Sequence, residues 1–600
     1  MSRPSRRHFV AHALLAGVAS ACAEGPSASP ARAPGQKPAP PPAPPPGAPA
    51  AGDAVTAQTI AEAEKLVRVR SAPAAREQMA RSWQTNMGPS FALRERPPLD
   101  PSLAPATVWD PRAAAGALPP PARANRLLPS RRPGPAAPPA SEAELAHAPV
   151  SLLSRWLKQR KLTSRALTEL YLQRLEAFDP KLKCVITLTR AIALEQADRA
   201  DRELDQGKVR GPLHGVPYGL KDLLDTAGVA TTWGAEPYRG RVPSEDAAVV
   251  KRLREAGAVL VAKLSLGALA LNDVWFGGQT KNPWLLEEGS SGSSAGSGSA
   301  VAAGCVGFAI GSETLGSIVS PASRCGVVGL RPTFGRVART GAMTLCWSLD
   351  KLGPMARAVE DTALVLGAIS GPDPGDASSV PSAFDFDADA PVKGLRVGFV
   401  RAWLDGASEA ERGALEAAKR AGMQAVEVAF PDLPYGGLLP ALFAEAAASF
   451  DELVRSGRVD QLGTPNDDAW PNFFRQARLL SAVDLVQAER LRRQVARALD
   501  ELMRRVDLLL VPALRDEALT ATNFSGHPSL TLRAGFVEID RIRSDYAPPP
   551  GRELPALAPK RRVPQGVTLV GRLFDEATLC RAGMALEREL GVAGERPPGF

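Results

Sequence analysis

Three short segments hold the residues whose types and spacing could do chemistry. In His214-Gly215-Val216-Pro217-Tyr218-Gly219-Leu220-Lys221-Asp222, Lys221 follows a run of apolar, Gly and Pro residues. A solvated loop lysine would look the same. If the side chain is buried, its ammonium form is disfavoured and the neutral amine can serve as a base. Residues 289–299 read GSSGSSAGSGS. Composition alone suits a flexible linker. The run passes straight into the core-like stretch 300–310, where a tight backbone cradle would bring hydroxyls and N–H groups onto a reacting atom. The third segment, Gly311-Ser312-Glu313-Thr314-Leu315-Gly316-Ser317-Ile318-Val319, is by itself a small-residue turn.

Taken together, the lysine in its GVPxxxKD context, the Ser/Gly-rich stretch and the GSETxGSI turn resemble the amidase signature family. The text around them agrees: Cys325-Gly326-Val327-Val328-Gly329-Leu330-Arg331-Pro332-Thr333, Asp350-Lys351-Leu352-Gly353-Pro354, Gly526-His527-Pro528 and Leu569-Val570-Gly571-Arg572. The likeness covers about residues 145–597 and is weaker from Ala54. It implies one large α/β/α catalytic domain with a mixed central sheet, preceded by an N-terminal helical extension. It also implies an amidohydrolase that needs neither metal nor organic cofactor and cleaves an amide C–N bond. In the family's Ser–cis-Ser–Lys triad, Ser317 would be the nucleophile, Ser293 the bridging serine after a cis peptide, and Lys221 the base. Backbone N–H groups of Thr314, Leu315, Gly316 and Ser317 would hold the oxyanion.

Three departures from the family's pattern carry expectations. Leu315-Gly316 stands where a double glycine is usual, which should narrow the pocket or redirect its wall. Val319 stands where an arginine is often found, so a local anion anchor is absent. Glu313 replaces the usual aspartate, a milder change.

The elements that must position these residues are read from periodicity. Helical spacing is present over 58–70, over 164–178 with Thr163 or Ser164 as cap, over 191–206 and over 484–505. Short buried-strand patterns fall at 259–264, 395–400, 506–511 and 567–570. Their alternation with helices predicts an α/β fold with a mostly parallel sheet. Residues 117–140 and 551–564 read as proline-rich loops.

Composition excludes other classes. The chain is 44% apolar and 23% charged, a globular balance, and can bury a core. Of the net charge of +8, half lies in residues 1–52, where Arg3, Arg6, Arg7, Arg32 and Lys37 face only Glu24. No dense basic block with aromatics suggests a nucleic-acid partner. The six cysteines show no CxxC spacing and the five histidines no HExxH, which argues against a zinc site. Cys305, Cys325 and Cys346 read as buried thiols, and His214 and His527 as structural loop residues.

The N-terminus reads as an address. Ser5-Arg6-Arg7-His8-Phe9-Val10 resembles a twin-arginine export motif, and Ala19-Ser20-Ala21-Cys22 a lipobox. Residues 1–22 would then be a signal, with Cys22 as a lipid-bearing membrane tether, 23–52 a Pro/Ala-rich spacer, 53–144 the extension and 145–597 the catalytic domain. The expected location is periplasmic or membrane-anchored.

Rival readings remain open at this level. Gly292-Ser293-Ser294-Ala295-Gly296 also fits GxSxG, which would make Ser294 the nucleophile. That needs a strand directly before it, and 282–288 is a poor one; His527 would be the available histidine. Ser348 and Lys351 fit SxxK without a KTG. On the same scaffold the alternatives are a catalytically silent amidase-like binding protein and an amidotransferase A-type subunit. The resemblance implies a small-molecule amide as substrate, and a lysine base implies a neutral-to-alkaline pH optimum.

Overall fold

The computed structural model describes residues 54–67, 70–91, 126–132, 134–463, 466–548 and 551–600. Arg6, Arg7, Cys22 and the 23–52 spacer lie outside the described residues.

Helices form where the periodicity predicts them. These are α1 (Ala57–Val67), α2 (Ser164–Leu182), α3 (Arg190–Asp205) and, after α4 (Ala295–Ala302) and α5 (Val319–Cys325), which lie outside those windows, α6 (Ala482–Arg505). Thr163 is the cap of α2, its hydroxyl accepting from Ala166 N–H at 3.1 Å. Helix α4 is the unexpected one. Four of its eight residues are Gly or Ser, and propensity alone would not make it helical. Packing does. Ser297 and Ser299 hydroxyls donate to the Ile310 and Lys281 carbonyls, and a Cβ on Gly296 would sit 2.5 Å from the Cys184 carbonyl oxygen. The glycines and serines let this helix lie backbone against backbone, so half of the apparent linker is core.

Eleven strands form one sheet: β1 (Val185–Leu188), β2 (Pro217–Lys221), β3 (Val259–Leu264), β4 (Phe308–Glu313), β5 (Val328–Arg331), β6 (Lys351–Ala356), β7 (Arg396–Phe399), β8 (Gln424–Glu427), β9 (Leu508–Pro512), β10 (Ser529–Arg541) and β11 (Ala556–Gly571). Their order is β8-β7-β9-β11-β10-β5-β6-β4-β2-β3-β1. Apolar runs bury both faces. Phe308 and Ile310 enter one cluster while Ala309, between them, enters the other, as strand alternation requires. Helices cover the sheet to give an α/β/α domain.

Three local expectations need correction. The sheet is not mostly parallel: β2 lies parallel to β3 and β4, and β7 to β8 and β9, but the middle from β4 through β6, β5, β10 and β11 to β9 is antiparallel. Run-length patterning locates strands without fixing their direction. Residues 556–564, read as loop, belong to β11. They pair with Phe536–Arg541 in a ribbon that projects beyond the sheet. There each strand has one open edge, and Pro559 and Pro564 are tolerated. Leu285–Gly289, read as a poor strand, does form one, but in a small ladder with Lys281–Asn282 outside the main sheet. Among the described residues, no helix is long and apolar enough to cross a membrane.

Candidate active site

The site forms where the adjacent parallel strands β2 and β4 end. Lys221 is the last residue of β2; β4 runs out into the turn 314–318; and residues 290–294 pass beneath both before α4 begins. The C-terminal ends of parallel strands are where α/β sheets leave room for a ligand.

Lys221 is fully buried. Its ammonium or amine nitrogen lies 2.8 Å from Ser293 Oγ, 3.0 Å from Ser294 Oγ, 2.8 Å from Ser312 Oγ and 3.4 Å from the Ser312 carbonyl. Among the described residues, no carboxylate touches it. Burial therefore drives its pKa well below the ordinary lysine value, and the more distant charges of Asp350 and Glu313 offset this only in part. The neighbouring carboxylate, Asp222, is turned to Lys263 at 2.9 Å and to Thr232 N–H and hydroxyl at 2.7 and 2.6 Å. It anchors the strand end and leaves Lys221 to the hydroxyls.

Ser294 is saturated. Its hydroxyl donates to the Ser312 carbonyl at 3.1 Å and accepts from Ser312 N–H at 3.1 Å and from Lys221. A nucleophile needs a free lone pair, and this one is spent. Ser293 has only Lys221 as hydrogen-bond partner among the described residues. The peptide bond Gly292–Ser293 is cis. Ser317 meets this segment through its carbonyl, which accepts from Ser294 N–H at 3.1 Å. Its hydroxyl makes no protein hydrogen bond among the described residues, to Ser293 or to any other group, and the residue is 8% exposed. The N–H groups of Thr314, Leu315, Gly316 and Ser317 likewise find no acceptor among the described residues, a run of four donors able to face an anion. Gly316 has φ +87, a conformation that glycine adopts without strain.

Glu313 fixes this turn, and its part is larger than a mild replacement suggests. One carboxylate oxygen accepts from Ile318 N–H at 2.8 Å and Val319 N–H at 3.0 Å. The other accepts from Arg331 Nη1 at 2.7 Å and Asn523 Nδ2 at 2.9 Å. Burial alone would raise its pKa, but Arg331 and these donors overcome it and hold the carboxyl at about 2. Asp350 holds the other end, accepting from the Thr314 hydroxyl at 2.6 Å. Neither Arg331 nor Asn523 stands out by residue type, although Arg331 lies in a stretch that resembles the family.

His214 and His527 stay away from the lysine and serines: His214 accepts from Arg210 N–H, and His527 pairs with Ser525 at 2.8 Å. Cys305, Cys325 and Cys346 are free and buried. A cavity of about 180 Å³ opens beside Ser312 and Thr314, walled by Leu223, Met343, Leu345 and Leu352. Of its charged wall residues, Arg339 and Asp376 are paired to each other at 3.0 Å, and Asp350 accepts from the Thr314 hydroxyl and from Leu345 and Cys346 N–H. Leu315 packs half-buried against the apolar core and does not line that cavity; Val319 is buried.

Residues 166–580 match the family described as Amidase. The chain is 36% identical over 466 residues to the A subunit of glutamyl-tRNA(Gln) amidotransferase from Anaeromyxobacter dehalogenans, covering 72% of this chain and 94% of that one. Among solved structures, peptide amidase from Stenotrophomonas maltophilia superposes with a TM-score of 0.63 at 31% identity, over 76% of this chain and 98% of that chain. The A subunit of glutamyl-tRNA(Gln) amidotransferase from Thermotoga maritima gives 0.58 at 26%, over 75% and 96%. The chain belongs to the amidase family. It is an enzyme acting on amide C–N bonds.

Removing the Glu313 carboxylate leaves Arg331 buried without its partner, so Glu313→Ala should cost about 3–5 kcal/mol in urea unfolding at pH 7. The depressed carboxyl stabilises the fold above the ordinary carboxylate pKa, and that contribution fades as pH falls from about 4.5 towards 2. The gap between wild type and variant should therefore narrow in acid. A gap that is small at pH 7, or that widens in acid, contradicts this role.

Proposed function

We propose that this chain is an amidohydrolase that cleaves a small neutral amide through Lys221, Ser293 and Ser317, by way of an acyl-enzyme. The observation that carries the reading is the buried Lys221 amine whose partners are hydroxyls and a carbonyl. A neutral lysine has one lone pair and two N–H groups; Ser294 and Ser312 take the N–H groups, and the lone pair is left to Ser293. Lys221 withdraws the Ser293 proton, and Ser293 in turn that of Ser317 when the Ser317 hydroxyl rotates towards it on substrate binding. Such contacts commonly tighten only in the substrate complex. Ser317 Oγ attacks the carbonyl, the 314–317 N–H groups receive the oxyanion, and Ser293 returns the proton to the departing amine. Water then releases the acid. The cavity beside Thr314 favours an uncharged acyl group, because its Arg339 and Asp376 neutralise each other, Asp350 is taken up by the Thr314 hydroxyl and two backbone N–H groups, and Val319 supplies no cation.

A second reading is favoured by the 36% identity to an amidotransferase of charged tRNA: release of ammonia for that tRNA, together with partner chains. Hydrolysis of a simple amide by the purified chain alone separates the two. Fluorophosphonate labelling located by peptide mass spectrometry should put the adduct on Ser317, and Ser317→Ala should abolish both labelling and hydrolysis. An adduct on Ser294, or normal turnover by Ser317→Ala, sinks the triad assignment.

We further propose that Arg6-Arg7 directs export and that Cys22 carries a lipid, which would separate the enzyme from charged tRNA. Cell fractionation with palmitate labelling should find the chain outside the cytoplasm, with the label lost in Cys22→Ala. An unlabelled cytoplasmic chain overturns this.

A further inference from the structure

The β10–β11 ribbon carries a feature that reaches the site. After Arg541 the chain turns back, and residues 542–547 lie against the 288–292 backbone. Arg543 N–H donates to Glu288 Oε2 at 3.0 Å and its guanidinium pairs with the same carboxylate; Ala547 N–H donates to Asp468 at 3.1 Å. Between these two anchors sits Asp545, almost fully buried.

Asp545 joins the two halves of the serine pair. Its Oδ2 accepts from the Ser291 hydroxyl at 2.6 Å and from Gly292 N–H at 3.0 Å, the residues directly before Ser293. Its Oδ1 accepts from Arg324 Nη2 at 3.0 Å. Arg324 belongs to α5, the helix that opens two residues after Ser317. A further bond in the same direction runs from the Ser320 hydroxyl of α5 to Ser291 Oγ at 2.5 Å, since the Ser291 proton is already given to Asp545. A second carboxyl, Asp273, accepts from Ser291 N–H at 3.1 Å. Burial and the Asp545 charge raise Asp273 to about 7, while Arg324 lies 3.0 Å from Asp545. The geometry leaves little slack elsewhere: a Cβ on Gly292 would fall 1.7 Å from the Asn272 carbonyl oxygen.

We propose that Asp545 is a positioning residue that sets the separation of Ser293 and Ser317 by tying the backbone before the first to the helix after the second. The inference rests on the Lys221–Ser293–Ser317 reading. It assigns the ribbon and its returning loop to the alignment of the proton relay, although among the described residues they make no hydrogen bond to Lys221 or Ser317.

The full-length chain is used for the test, with kcat and KM for an amide the wild type hydrolyses and the rate of fluorophosphonate labelling. Asp545→Asn cannot accept three donors, and misalignment at this range should lower kcat about 10- to 100-fold. KM should stay within about threefold, because substrate contacts are untouched, and labelling should slow in step with kcat. Should Asp545→Asn fail to fold, Ser291→Ala removes one hydroxyl from the same tie and should lower kcat about threefold or more, again without raising KM. Glu553→Gln breaks only the exposed Arg541–Glu553 pair on the ribbon and should leave both constants unchanged. Normal kcat in Asp545→Asn or Ser291→Ala overturns the proposal, as does a rise in KM alone or equal loss in Glu553→Gln. Full activity in Ser293→Ala instead overturns the triad on which it rests.

Discussion

A primary amine taken out of water with no carboxylate in reach loses more by staying charged than its neighbours return. That constraint at Lys221 is what the rest of the site is arranged around. The contrast with Lys263 shows it. Both lysines are fully buried on neighbouring strands, but Lys263 has Asp222 at 2.9 Å, and Lys221 has three hydroxyls and a carbonyl. Lys351, also buried, is drawn down to about 7 by burial and by Arg331. Among the described residues, of these three only Lys221 has beside it a hydroxyl with no other partner, Ser293.

Carboxylates are present in the site, but each is committed to structure. Asp222 secures the end of the lysine strand, Glu313 the turn of Ser317, Asp350 the Thr314 hydroxyl and Asp545 the segment before Ser293. These acids neutralise arginines, Lys263 or backbone N–H groups and leave the interior of the site to serines, glycines and one amine. Small residues follow from the same requirement. Segments that must approach backbone to backbone, as α4 does on Cys184 and Ser265, have no room for side chains. The fold therefore spends its weak helix formers where packing, not propensity, decides.

Much of this is legible in the residues. The helices near 164–178, 191–206 and 484–505 follow from periodicity, because one buried face repeats in the sequence itself, and the strands near 259–264, 395–400 and 506–511 follow from short apolar runs. Strand direction does not follow. The same apolar run serves a parallel or an antiparallel neighbour, so the antiparallel centre leaves no mark in the sequence. The prolines at 559 and 564 hide a strand whose partner, Phe536–Arg541, lies some way back in the chain. At the site, Lys221, Ser293 and the 314–317 turn are visible because they sit in short contiguous motifs. Asp273 and Asp545 are not: they reach Ser291 from loops on either side of it, and neither is flanked by anything that marks its role. Glu313 shows in the sequence only as a change of residue, and its work becomes visible with Arg331 and Asn523 around it.

The proton relay depends on the charge of one side chain. Titrating the Lys221 side chain in the folded protein by NMR of labelled lysine, with Lys221→Arg to assign the signal, reads that charge directly. A midpoint well below the ordinary lysine value of 10.5 is the predicted result. A midpoint at or above 10.5 would show a permanently charged Lys221 and would contradict the neutral base on which the proton relay depends.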